Sequence, residues 1–366
     1  VKGYRADQLP DLKQYLDLCC LGTLCDMAPL KGVNRAFVVQ GLKQVEAECS
    51  AGLFALSQVS GRSSPKSVTD MTFGIGPQLN AGGRIGDPWL ASNLLSTDDM
   101  NEAMPLAEQL HILNNARKDV ENEILTLARR QLELSLEENP SQNVLIATGE
   151  GWHPGVIGIV AGRLKDEFHR PVVVIGHGDE FGDLAKGSAR SVTGMNIGEA
   201  LSRAVDAGLL VSGGGHAMAG GLSMQVCDFD ALRTFLNDAL SDKQSELETA
   251  REVEISLDVL ASSVNLKLLS FVEMAGPYGA AAPKPLFRIK NARVEFSRII
   301  GENHKKLTFS DGSGRIDAVA WRVVDRPLGD ILQKDRNLDI IGYIERNSWQ
   351  GREAVQFEIF DAKENK

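Results

Sequence analysis

The sequence predicts a mixed α/β protein assembled in successive parts: a long connecting helix, a small α/β domain after it, and a five-stranded β-barrel at the end. Three observations carry this. Apolar residues recur at three-or-four spacing through residues 98–138, the signature of one long amphipathic helix. Residues 143–245 alternate strand-like and helix-like segments. Beyond about residue 285, five short strand-like runs are separated by turns such as DGSG and NSWQG. A length of 366 residues suits two or three domains.

Residues 11–48 read as helical, with Pro29 breaking the pattern after GTLCDMAPL. SQVSGRSSPKSVTD (57–70) reads as a loop. The glycine-rich FGIGPQLNAGGRIGDP (73–88) reads as too rich in turn residues for regular structure. Asp98 or Asp99 can cap the long helix, and Pro105 is tolerable near its start. Leu106, Leu110, Leu113, Val120, Ile124, Leu127 and Leu134 form its expected apolar stripe. At 1.5 Å per residue it spans about 50–60 Å, a length that links two domains. In the α/β part, NVLIATGE, PVVVIGHG, KGSARSV and GGLSMQV are strands, with a glycine turn before the last. The final runs begin with FRIKNARVEFSRII and end with EAVQFEIFDA, and five curled strands with basic and aromatic side chains suggest an oligonucleotide-binding barrel.

The apolar share of 43% and charged share of 24% exclude wholesale disorder. No stretch approaches roughly 18 consecutive apolar residues, so no membrane span is expected. The start lacks a basic segment followed by an apolar run. Five cysteines, three of them Cys19, Cys20 and Cys25 in one apolar stretch, suit buried thiols of a cytoplasmic protein better than a disulfide framework. Val1 enters directly into a running domain, so a fragment is expected. The net charge of −10 argues against a blanket attraction to nucleic acid. Its distribution is uneven: residues 251–366 hold 18 Lys+Arg against 17 Asp+Glu, a net of +1, leaving 21 against 32, or −11, for residues 1–250. Residues 284–306 carry a local basic surplus that suits either a phosphate backbone or a solvated strand face.

Four segments are candidates for anion chemistry. In SGGGHAMAGG (212–221), Gly214 and Gly215 let a ligand approach the backbone and His216 adds a donor; the segment is either a phosphate cradle or a tight turn with a core histidine. In KGSARS (186–191), Ser188 and Arg190 alternate on one strand face, where an arginine fork takes two phosphate oxygens or makes a surface ion pair. Asn80 and Arg84 stand beside glycines in NAGGRIGD. His153 precedes a helix whose N-terminal amides favour an anion, although helix capping accounts for it as well. Metal ligands are scarce: no two of the six histidines form a close pair, and no cysteine pair has zinc-finger spacing. Asp26 stands in an apolar segment, and a buried carboxylate there requires a metal or a cation.

Together, GTLCDMAPL, GIGPQLNAGGRIGD, GWHPGVIGIVAGRLKDEFHRPVVVI, KGSARS and SGGGHAMAGGLS, in this order, resemble the RecJ single-strand-specific 5′→3′ DNA exonucleases. AGPYGAAAPKPLF (275–287) continues the match into the barrel. The resemblance implies a DHH phosphoesterase that hydrolyses phosphodiesters with two Mn²⁺ or Mg²⁺ ions. It implies four parts: 1–97 as the end of the catalytic DHH domain, 98–138 as the connecting helix, 139–250 as the DHH-associated α/β domain, and 251–366 as the OB-type barrel. In residues 1–97, the stretch matched to that catalytic domain, neither the family's D-x-D motif nor its Asp-His-His occurs. Only the last motif of that core is present, mapping its metal-binding aspartate onto Asp26, so the chain should hold what the complete enzyme would cut.

By the same resemblance, Arg84, Arg190 and Ser188 hold a 5′ phosphate, with Asn80 and His153 nearby. Gly214, Gly215 and His216 line the facing wall. In the barrel, Arg288, Lys290 and Arg293 are candidate strand contacts. Of its aromatics, Phe309 and Trp321 are expected in the core and Trp349 on the strand-binding surface. Expected partners are single-stranded DNA and a single-strand-binding protein or helicase, in DNA repair and recombination. Two alternatives are a non-catalytic strand-binding partner protein and a DHH phosphodiesterase of short oligonucleotides, the latter disfavoured by the barrel.

Overall fold

The computed structural model describes residues 11–61, 65–178, 182, 184–243, 247, 252–349 and 352–365, with the side chains of 348, 349 and 352 outside that description. The chain forms two compact units. One takes Val1–Glu48, Lys66–Thr72 and Val253–Lys366, and the other takes Cys49–Pro65 and Phe73–Glu252.

The first unit opens with helices α1 (Leu16–Cys25) and α2 (Gly32–Ala47), separated at Pro29 as the sequence predicts. They cross at Gly41, where a Cβ would stand 2.3 Å from both the Cys20 Cβ and the Leu16 carbonyl oxygen. Asp26 caps the C-terminus of α1 and is exposed. The expectation of a carboxylate embedded in an apolar helix is corrected: Asp17, on the preceding turns, is the buried aspartate here.

The second unit contains α3 (Ala51–Val59), α4 (Gly76–Ile85), α5 (Trp89–Ser96), α6 (Met100–Glu138), α7 (Pro154–Phe168), α8 (Ile197–Asp206) and α9 (Phe229–Ala239). The segment expected as a glycine loop is helical: a π-helical turn, Asp70–Ile75, leads into α4. Pro77 sits in the first turn, where its missing N–H costs nothing. The glycines serve packing rather than turning. A Cβ at Gly82 would stand 3.3 Å from Leu110 of α6, and one at Gly86 only 2.7 Å from Leu113.

Helix α6 runs 39 residues with Asp99 accepting from the Asn101 N–H as its cap. It lies wholly within this unit. Its predicted stripe holds at Leu110 and Ile124, whereas Leu127 and Leu134 are about half exposed. The buried face continues instead through Asn114, Arg117 and Glu121.

The α/β sheet has the order β1-β2-β3-β5-β4, from β1 (Leu145–Glu150), β2 (Val172–His177), β3 (Leu184–Arg190), β4 (Ser212–His216) and β5 (Ala219–Gln225). Only β1 and β2 are parallel; the others pair antiparallel. Helix α7 packs on one face with Leu145, Ala147, Val172 and Val174, while α8 and α9 pack on the other with Ile146, Val173, Ala185 and Ala189. The predicted glycine turn is itself the edge strand β4, paired to β5 through a tight connection at Ala217 and Met218.

The barrel, back in the first unit, is the predicted one. Strands β7 (Phe287–Ile300), β8 (His304–Ser310), β9 (Arg315–Ala320), β10 (Asn337–Trp349) and β11 (Arg352–Glu364) close on themselves because β10 pairs with both β11 and β7. A two-residue strand, β6 (Leu257–Asp258), adds parallel to β7. Phe309, Phe357, Ile340 and Ile344 fill the interior. Phe309 is fully buried as expected, but Trp321 is 48% exposed, edge-on to His304 at 4.9 Å. Helix α10 (Leu266–Ala275) precedes the barrel, and its C-terminal carbonyls are gripped by Arg35 of α2: Nη2 donates to Ala275 and Gly276 at 2.6 Å, and Nη1 to Pro277 at 2.9 Å. That contact, with the Leu30 N–H on the Ala280 carbonyl at 2.7 Å, seats the AGPYGAAAP segment on α2. No described helix is long and apolar enough to cross a membrane.

Candidate functional site

Strand alternation turns Lys186, Ser188 and Arg190 of β3 away from Ala185 and Ala189, which enter the core beneath α8. Helix α7 lies over that outward side. A Cβ at Gly158 would stand 3.0 Å from Ser188 Oγ and 3.1 Å from Arg190 Nη2, so the helix comes this close because position 158 has no side chain. Arg190 Nη1 donates to Ser188 Oγ at 3.0 Å and to the Ala189 carbonyl at 2.8 Å. One turn earlier, Gly155 receives α4: Arg84 Nη1 donates to its carbonyl at 2.9 Å, and a Cβ there would lie 2.2 Å from the Arg84 carbonyl oxygen. Two glycines three apart share one helix face, and each admits one arginine.

Burial lowers the pKa of both guanidiniums. Arg84 is lowered further by Arg190, with Glu121 acting in the opposite sense. Neither has a carboxylate within 4 Å among the described residues. A half-buried guanidinium that has lost water without gaining a counter-charge is poised for an anion. Asn80, exposed on α4, stands one turn before Arg84 and so on the same face. His153 caps α7: its Nδ1 accepts the Gly155 N–H at 3.1 Å, so the capping account of this residue is the one the geometry gives.

Strand register brings the glycine-rich segment alongside. Ser188 aligns with Gly221 and then Gly214; Arg190 aligns with Ala219 and then His216. At roughly 4.8 Å between strands, His216 lies about 10 Å from Arg190 along that row. His216 is exposed, not a core histidine. Gly214 and Gly215 have φ of +152° and +151°, and a Cβ at Gly215 would stand 2.3 Å from the Ala219 carbonyl oxygen, so the edge strand requires glycine there.

Other candidates fare differently. Among the described residues no three His, Cys, Asp or Glu side chains group as metal ligands, and Asp26 offers one exposed carboxylate. These residues do not fit a two-ion centre. In the barrel, Arg288 forks onto Asp258 at 2.7 and 3.0 Å, Lys290 meets the same carboxylate at 2.7 Å, and Arg293 pairs with Asp335 at 2.8 Å. All three are already engaged by carboxylates. The Trp349 side chain lies outside the described residues. Exposed Phe296 carries Arg298 at 6.0 Å from its ring, and Arg298 pairs across strands with Lys306.

Sequence reasoning missed Lys186, Gly155, Gly158 and the buried pair Arg117 and Glu121 with the exposed Arg163 beside it. The glycines were visible as GVIGIVAG, small residues at helical spacing.

With the geometry in place, the chain can be compared with known proteins. Residues 141–242 match the DHHA1 domain family, and residues 255–361 match the RecJ OB domain family. The single-stranded-DNA-specific exonuclease RecJ of Bacillus subtilis is 33% identical over 358 residues, covering 97% of this chain and 44% of that protein. The crystal structures of RecJ from Thermus thermophilus with Mn²⁺ and with Mg²⁺ each superpose with a TM-score of 0.79 at 29% identity. They cover 98% of this chain and 51% and 53% of theirs. The chain spans about half the length of these relatives.

Proposed function

We propose that this chain, a RecJ homologue over almost all of its length with a DHHA1 domain followed by a RecJ OB domain, is the substrate-holding part of a single-strand-specific 5′→3′ exonuclease. The observation that carries the reading is the pair Arg84 and Arg190, desolvated and without a carboxylate partner among the described residues. A 5′-terminal phosphate sits between them, accepting from both guanidiniums and from Ser188 Oγ, with Asn80 at the rim. Gly214, Gly215 and His216 form the neighbouring wall along which the first nucleotides run. Holding the end this way selects strand polarity, because the opposite end carries no such dianion.

The relatives' solved structures contain Mn²⁺ or Mg²⁺, and such ions supply activated water for phosphodiester hydrolysis. One exposed Asp26 does not assemble them, so the chain alone holds DNA and leaves it uncut. The barrel binds single strands in its own right: Arg288, Lys290 and Arg293 reach the strand by exchanging Asp258 and Asp335 for phosphates, and exposed Phe296 and Trp321 stack on bases. In the cell the reading places the protein in the cytoplasm, in DNA repair and recombination. A helicase or single-strand-binding protein would present the strand.

Arg190→Ala tests this in anisotropy titrations with 5′-phosphorylated and 5′-hydroxyl single strands. A charge-assisted hydrogen bond contributes about 1.5–3 kcal/mol, so the phosphate preference should fall by roughly tenfold or more. Equal losses on the two strands would make Arg190 structural. A non-catalytic strand-binding protein would show the same preference, and degradation of a labelled strand by the protein with its upstream sequence separates the two.

A further inference from the structure

Behind Arg84 and Arg190 lies a second pair of arginines, and one carboxylate holds both. Helix α6 presents Leu110, Leu113, Asn114, Arg117 and Glu121 along one face, packing its apolar half under Gly82 and Gly86 of α4. Its polar half follows directly. Glu121, 1% exposed, accepts from Arg117 Nη1 at 2.6 Å on one oxygen, and its other oxygen forms an ion pair with Arg163 Nε of α7 at 2.8 Å without the alignment of a hydrogen bond. Asn114 Oδ1 accepts from Arg117 Nη2 at 2.7 Å, while the buried Arg117 Nε finds no acceptor among the described residues. The field of Glu121 reaches Arg84, and Arg84 in turn repels Arg117. Glu121 thus pairs with Arg117 and Arg163 directly and acts on Arg84 at longer range.

We propose that Glu121 is the positioning residue of the phosphate site: by engaging Arg117 and Arg163 it keeps them off the anion and sets how strongly Arg84 and Arg190 attract it. The inference rests on the phosphate reading of that pair. Removing Glu121 adds one positive charge behind the phosphate site, so the unliganded protein loses stability and the anion gains attraction. Removing Arg117 takes one positive charge away, and the anion is held less.

The test is the rise in melting temperature produced by inorganic phosphate, at ionic strength held constant with sodium chloride, on the full chain. The fivefold set is wild type, Glu121→Gln, Arg117→Gln, the double variant, and Arg190→Ala. Glu121→Gln should melt lower without phosphate yet show the larger phosphate response. Arg117→Gln should show a smaller one, and the double variant, in which the two charge changes cancel, should return to the wild-type response. A shift of roughly tenfold in apparent phosphate affinity is expected in each direction. If Glu121→Gln does not fold, Arg117→Gln and the double variant carry the comparison. Responses equal across these variants, with Arg190→Ala abolishing the effect, would reduce Glu121 to a structural ion pair and leave the phosphate site standing. A wild-type response that Arg190→Ala does not diminish would overturn both.

Discussion

The guanidinium of Arg190 occupies the space that a side chain at Gly158 would take, with Nη2 only 3.1 Å from where that Cβ would stand. The glycine is thus a condition of the arginine's placement, although the two lie on different elements. Alanine in a helix interior is favoured over glycine by about 0.5–1 kcal/mol, and the atoms it would meet are the tips of Arg190 and Ser188. Gly158→Ala should therefore leave the melting temperature unchanged or slightly raised while the preference for 5′-phosphorylated strands falls several-fold. A large loss of stability with the preference intact would contradict this.

In the barrel, Asp258 draws Arg288 and Lys290 together, and their hydrogen bonds hold its carboxyl well below the usual carboxylate range. Asp258→Asn releases both cations. Oligonucleotide affinity at low salt should rise, and the salt dependence should steepen by up to about 0.7 in log–log slope for each new phosphate contact. Titrations across a sodium chloride series measure this, and an unchanged slope would exclude these side chains from the strand.

Burial pushes the Glu358 carboxyl upward, with Glu345 adding to the effect and the Trp321 indole and Lys284 opposing it. A folded pKa above the unfolded value of about 4.3 means that the group's contribution to stability is full below that pH and is lost as pH rises through the folded value. Glu358→Gln should thus be more stable than wild type at pH 7, with the difference closing near pH 4. Urea unfolding at the two pH values is the check.

On β4, Gly215 and His216 should separate stability from binding. Gly215→Ala forces a side chain to φ +151° and against the Ala219 carbonyl, at a cost of about 1–3 kcal/mol. His216→Ala, at an exposed position, should stay within about 0.5 kcal/mol of wild type while weakening the grip on 5′-phosphorylated strands. Thermal melts paired with anisotropy distinguish the two.

What could be read from the sequence follows from which interactions are local. Strand alternation placed Ser188 and Arg190 on one face, and turn residues delimited the five barrel strands, since both depend on near neighbours along the chain. The glycines of α4 and β4 misled because a glycine needed for close packing, as Gly86 is against Leu113, has the composition of a turn. The ion pairs of Arg288, Lys290 and Arg293 were invisible because two of the three close onto Asp258, some 30 residues distant, and the third onto Asp335. The neighbouring glycines marked Arg84 as a candidate, but its closeness to Arg190 no local pattern encodes. Glu121 was hidden for the converse reason: an Arg and a Glu four apart read as a solvated helix pair, and only the approach of α7 buries them.

Gly221 sits in the row between Ser188 and Gly214, and a Cβ there would touch nothing within 4 Å. It does not share the positive φ of Gly214 and Gly215, so neither packing nor backbone strain demands glycine at this place. A leucine would be accommodated by the sheet and would stand up beside Ser188, turning an open floor into a sill. Gly221→Leu should accordingly fold, melt near wild type and still bind inorganic phosphate, while a 5′-phosphorylated strand is turned away. The space above β5 at this position is kept open by a side chain that is absent.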